Sequence, residues 1–126
     1  MHWSQFVWVA LGGAVGASGR YWLSAWLNDM NRSMFPLGTF AVNAIGSFLF
    51  GVFFVVVLSS TSFKEPLRLL ILVGFMGAFT TFSTFSIETL NLMESGQLMR
   101  AASNAVLSVV LCIGAAALGV AIARQL

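Results

Sequence analysis

Four stretches of this chain contain no Asp, Glu, Lys or Arg, and that spacing limits what it can fold into. The uncharged runs are residues 1–19, 33–63, 69–87 and 101–123. About 20 predominantly apolar residues span the hydrocarbon core of a bilayer as a helix. A helix also satisfies every backbone polar group within its own segment, which lipid requires. The runs therefore predict an all-α membrane protein with four transmembrane helices, near 4–27, 37–58, 67–94 and 98–124. Pro36-Leu37-Gly38 opens the second span and Ser59-Ser60-Thr61-Ser62 closes it. The connectors are short, so residues 1–126 form a single transmembrane domain with no room for a soluble catalytic domain.

Composition agrees with this reading. Of the 126 residues, 59% are hydrophobic and 8% charged, against roughly a quarter charged in a soluble domain. Six basic residues against four acidic ones give a net charge of +2, too small and scattered an excess to imply nucleic acid. Cys112 is the only cysteine, which excludes a disulfide framework and zinc spacing. The apolar start continues past the length of a signal peptide, and no convincing cleavage site precedes Arg20 and Trp22, so it reads as a mature span.

Small residues predict where helices touch. Gly12-x-x-x-Gly16, Ser47-x-x-x-Gly51 and the Gly/Ala-rich stretch from Gly114 to Gly119 permit close backbone approach. Orientation follows the Lys and Arg bias of the loops. One side would carry Lys64, Arg68 and Arg124, the other Arg32, Arg100 and the nearby Arg20. So even a balance predicts insertion both ways up, hence an antiparallel, dual-topology homodimer with its two-fold axis in the membrane plane.

The third span departs most from a lipid-facing helix. From Thr80 to Ser86 it reads Thr-Thr-Phe-Ser-Thr-Phe-Ser, with Gly74 and Gly77 before it and Glu88 after. That density of hydroxyls beside glycines predicts a broken helix, because Ser and Thr side chains re-satisfy backbone groups freed at a break. The break falls near the bilayer midplane. Across a two-fold axis its released carbonyls would meet their symmetry mates in an oxygen cage suited to a small hard cation.

Phe82 and Phe85 share one helical face. They are either ordinary packing or, through their positive ring edges, weak solvating groups for a small anion that must also leave again. Thr81, Ser83, Thr84 and Ser86 would add hydroxyl donors. Asn43 lies about 9 Å along the second span; it is either a pathway donor or an interhelical bond. Arg20 is either a snorkelling residue or an anion attractor at a vestibule. Glu88 would line an anion pathway only if neutral or hydrogen-bonded away, and Ser108 is either a pathway hydroxyl or packing. No acid–base pair, nucleophile elbow or phosphate loop is present, so the chain is not read as an enzyme.

Three blocks, kept in order across nearly the whole chain, carry a family likeness. Gly-x-x-x-Gly-x-x-x-Arg-Tyr at 12–21, Gly38-Thr39-Phe40-Ala41-Val42-Asn43 and the Thr80–Ser86 string resemble the small bacterial fluoride channels of the Fluc or CrcB family. The resemblance implies a fluoride-selective channel in the bacterial cell membrane, an antiparallel homodimer with two fluoride pathways and a structural sodium ion at its centre. Carried over by motif, Asn43 is the pore asparagine and Phe82 and Phe85 the pore phenylalanines. Ser83, Thr84, Glu88 and Ser108 belong to its polar track, and backbone oxygens of Gly77 and Thr80 hold the sodium. The family often has Gly-Gly where this chain has Gly77-Ala78, and a serine where this chain has Cys112. A dual-topology multidrug exporter is the nearest rival, but its deep first-helix acid is missing here. A purely structural membrane subunit is the other.

Overall fold

A computed structural model of the chain describes residues 2–61 and 64–126. Ser62, in the serine-rich end predicted for the second span, lies outside the described residues. Helix α1 runs Trp3–Met30 and α2 Leu37–Ser59. The third span is composite: α3 (Glu65–Arg68), a π-helical stretch Leu69–Met76, α4 (Gly77–Phe79) and, after an interruption, α5 (Phe82–Glu94). Helix α6 runs Leu98–Ala123. All regular structure among the described residues is helical.

Leu37–Ser59, Glu65–Glu94 and Leu98–Ala123 are each long and apolar enough to cross a membrane. Helix α1 has 28 residues, about 42 Å at 1.5 Å per residue, but Arg20 and its glycines dilute its apolar character. Its route follows from what it touches. Gly12 and Gly16 lie directly against the backbone of Leu70 and Phe75, and Gly74 returns the contact to Val9 and Gly12. A β-carbon at any of these positions would collide with main chain, so glycine is what lets α1 lie flush along the π-helical stretch. The same device joins α2 to α6, where Gly51 meets Ala116 and Gly119 meets Phe48. At Gly114, from the same small-residue stretch, an added β-carbon would meet no other element within 4 Å among the described residues.

The buried core is small. Val42, Met76 and Phe79 form its centre, with Leu23, Leu49, Phe53 and Phe75 packed around them. Met76 and Phe79 thus pin the first half of the third span between α1 and α2, immediately before the interruption. Most remaining large apolar side chains face outward, including Trp22 and Trp26, which stack with ring centroids 6.2 Å apart. In water such a surface would aggregate; against acyl chains it is at home.

Between α5 and α6 the chain reverses tightly. Gly96 takes a left-handed φ of 78°, which glycine adopts without strain. Gly96 N–H bonds the Met93 carbonyl and Gln97 N–H the Leu92 carbonyl at 2.8 Å, satisfying the last carbonyls of α5. That reversal lays α6 back along α5.

Candidate ion pathway

The interruption of the third span falls on Thr80 and Thr81, both extended: φ −93°, ψ 157° and φ −150°, ψ 118°. Three groups hold it open. Asn43 grips Thr81 from both sides, Nδ2 donating to the Thr81 carbonyl at 2.9 Å and Oδ1 accepting from the Thr81 N–H at 2.8 Å. Arg20 Nε donates to the Ala78 carbonyl at 2.9 Å, placing a cation where a helix C-terminus presents its negative end. Thr81 Oγ1 then caps α5, accepting from the Thr84 N–H at 3.2 Å.

These contacts change what the sequence-identified residues can do. Arg20, read as a vestibule attractor or a snorkelling residue, is half-buried and bonded at the level of the break. Asn43 spends one of its two amide protons on Thr81 and keeps one for a ligand. Because the Thr81 N–H turns to Asn43, the Gly77 carbonyl loses the donor a continuous helix would supply. The Thr80 carbonyl loses its own in the same way, since the Thr84 N–H goes to Thr81 Oγ1. These two oxygens, the pair assigned to sodium by resemblance, fit a hard oxygen-seeking cation.

A groove of about 560 Å³ runs along the outer side of the break, between α2, α5 and α6. Asn43, Thr80, Thr81, Phe82, Phe85 and Ser108 all line it, as do Ser47, Phe50 and Cys112. The structure therefore gathers residues from three spans into one groove, with Asn43 and Ser108 lying 65 positions apart in sequence. The rings of Phe82 and Phe85 stand 5.4 Å apart, tilted by 43°, and Phe82 is 76% exposed. A phenylalanine that open at mid-span is not core packing within this chain.

Ser83 and Thr84 cluster with Thr81 instead, their hydroxyls 3.2 Å and 3.1 Å from Thr81 Oγ1. Glu88 sits apart from the groove, one turn beyond Thr84. Its Oε1 accepts from Thr39 Oγ1 at 2.9 Å, and its buried Oε2 has no hydrogen-bond partner among the described residues. Beyond it opens a second, more polar pocket of about 480 Å³, lined by Asn28, Asn31, Ser33, Glu88, Asn91 and Ser95 among others. Thr84, Glu88, Asn91 and Ser95 recur at helical spacing, so a single polar stripe on α5 leads from the break toward this pocket.

Sequence reasoning overlooked Thr39 as the partner of Glu88, the asparagines of the second pocket, and Asn104. A signal existed for two of these: the spacing of 84, 88, 91 and 95 marks Asn91, and a carboxamide inside an uncharged run is as unusual at 104 as at 43.

Residues 7–120 match the family model described as CrcB-like protein, Camphor Resistance (CrcB). The chain is 49% identical over 120 residues to the fluoride-specific ion channel FluC of Hahella chejuensis, covering 95% of this chain and 94% of that one. It is 51% identical over 124 residues to the fluoride-specific ion channel FluC of Magnetococcus marinus, covering 95% and 98%. To its counterpart in Geotalea daltonii it is 44% identical over 120 residues, covering 95% and 97%.

Proposed function

Because this chain belongs to the CrcB-like family, we propose that its groove and polar stripe carry fluoride across a bacterial cell membrane. The protein is a multi-pass fluoride-selective ion channel, not an enzyme, and it lowers cytoplasmic fluoride by passing the ion down its electrochemical gradient. The exporter reading is not favoured. The observation that carries the assignment is the convergence of the free Asn43 amide proton, the Phe82 and Phe85 rings and Ser108 in one groove beside the break.

The chemistry follows from desolvation. Moving a bare anion into an apolar interior costs tens of kcal/mol on a Born estimate, so the wall must replace lost water with donors. Asn43 and the hydroxyls supply them, and the positive edges of the two rings add weaker attraction. Weak, multiple contacts also let the ion leave. A fixed cation in direct contact would hold it; Arg20 commits its Nε–H to the Ala78 carbonyl and keeps its charge to attract the anion from a distance.

The working unit is an antiparallel dimer of two such chains, and α1 crosses the membrane with the other three spans, since its glycines bind it along the third. What supports the dimer is the groove itself. In one chain it opens outward, with Phe82 exposed, and lipid would fill it. A second copy lying against this face would close the wall and exclude acyl chains. The same pairing would bring the free carbonyls of Gly77 and Thr80 near their counterparts, where a structural sodium ion would join the two chains by charge.

Expression in a bacterium stripped of its own fluoride export tests the function. Growth in fluoride-containing medium should return with this chain and stay absent with Phe82→Ile. Failure of the intact, membrane-inserted chain to restore growth would sink the assignment.

A further inference from the structure

The α5–α6 interface holds a buried polar network that reaches Ser108 and the Phe85 carbonyl through two residues, Thr89 and Asn104, not assigned to the pathway. Asn104 is 1% exposed, among the most completely buried side chains of the molecule. Its Nδ2 donates to Thr89 Oγ1 at 2.9 Å, and Thr89 Oγ1 donates in turn to the Phe85 carbonyl at 2.7 Å. On the other side Ser108 Oγ donates to Asn104 Oδ1 at 3.3 Å.

The proton directions in this network are fixed by elimination. Thr89 has one hydroxyl proton, spent on Phe85, so it can only accept from Asn104. The amide nitrogen of Asn104 must then face Thr89, which turns its oxygen toward Ser108. Among the described residues Ser108 Oγ is the one side-chain donor to that oxygen, so its hydroxyl proton points away from the groove that it lines. In this state Ser108 shows an arriving anion only lone pairs.

We propose that Asn104 is a specificity-determining positioning residue: it withholds the Ser108 proton from the pathway and releases it only to a strongly accepting anion. The inference rests on the fluoride-pathway reading of the groove. For Ser108 to donate into the groove its hydroxyl must rotate, leaving Asn104 Oδ1 unpaired in a place that water does not reach. An unpaired buried acceptor is costly, so a weak acceptor such as chloride fails to draw the proton across and fluoride succeeds. The contact is also long for an O–H···O bond, whose usual length is about 2.7–2.8 Å. The hold on the proton is therefore weak enough to be broken on each passage.

Proteoliposomes loaded with fluoride or chloride, containing wild type, Asn104→Leu or Asn104→Asp, test this. Leucine keeps the bulk and removes the competing acceptor. The fluoride-over-chloride flux ratio should fall by roughly three- to tenfold, the equivalent of one hydrogen bond. Aspartate keeps an acceptor of equal or greater strength, so fluoride flux should slow and the ratio should not fall. A ratio that falls with leucine and holds with aspartate at one buried position is not what a merely structural contact produces. In a Ser108→Ala background the leucine substitution should leave the ratio unmoved. If Asn104→Leu fails to fold, the aspartate arm decides: fluoride flux at the wild-type rate overturns the proposal. So does an unchanged ratio in a folded Asn104→Leu, or the same fall with Ser108 absent. Wild-type protein that passes no fluoride would instead overturn the pathway reading beneath it.

Discussion

Asn43 donates to the Thr81 carbonyl and accepts from the Thr81 N–H, so Asn43→Leu removes both bonds and the spare amide proton together. Two such bonds are worth about 1–3 kcal/mol in all. The variant should lose fluoride flux and melt earlier in detergent. Asn43→Asp retains the acceptor for Thr81 but not the donor, and it puts a carboxylate beside the path. Its flux should be lost with a smaller thermal shift. Normal conduction by Asn43→Leu would reduce the residue to a link between helices. Phe82→Ile and Phe85→Ile keep apolar bulk and remove the ring edge, and each should slow or stop flux in folded protein. If both conduct like wild type, the rings are packing. The identity of these three residues is legible because a carboxamide at depth and a Phe pair among hydroxyls are unusual in a span. Their hydrogen bonds are not, since nothing in the local pattern around Asn43 says that its partner is the backbone of Thr81, 38 positions away.

The broken third span is the element on which the site depends. Hydroxyl density beside glycine marks it in the sequence, and the structure shows what such marks do not carry: the extended pair at Thr80–Thr81 and the grip of Asn43 and Arg20 upon it. Arg20 is ambiguous in sequence because one basic residue near a helix end looks the same whether it reaches the membrane surface or a neighbouring carbonyl. The π-helical stretch Leu69–Met76 is not legible either, since its apolar sequence fits an α-helix equally well. Gly77 provides the test at this scale. A β-carbon added there meets nothing nearer than the Leu72 carbonyl at 3.9 Å, so a single chain has room for it. Gly77→Val should nonetheless disrupt dimer assembly far more than Thr80→Ser, because the proposed partner and sodium ion occupy the space it would fill. Light scattering in detergent distinguishes the outcomes, and a fully dimeric Gly77→Val would argue against a partner at that face.

For the molecule as a whole, the four uncharged runs make four long helical segments and their order readable from sequence, three of them long and apolar enough to cross a membrane. Pairing of two chains is not a property of one chain's contacts, and it rests on the open groove and the balanced basic residues. Two lysines inserted after Thr61, or two beside Asn31, should each impose a single orientation, opposite in the two variants. Each alone should be inactive, and coexpression should restore transport; activity from one fixed orientation would rule out an obligatory antiparallel pair. The central claim, that this chain is a fluoride-selective channel, meets its most direct test in the purified protein. Liposomes holding equal fluoride and chloride are given a potassium gradient and valinomycin, and external anions are followed with two ion-selective electrodes. Rapid release of fluoride with chloride retained is the predicted result. Folded protein that releases neither ion, or both equally, would contradict it.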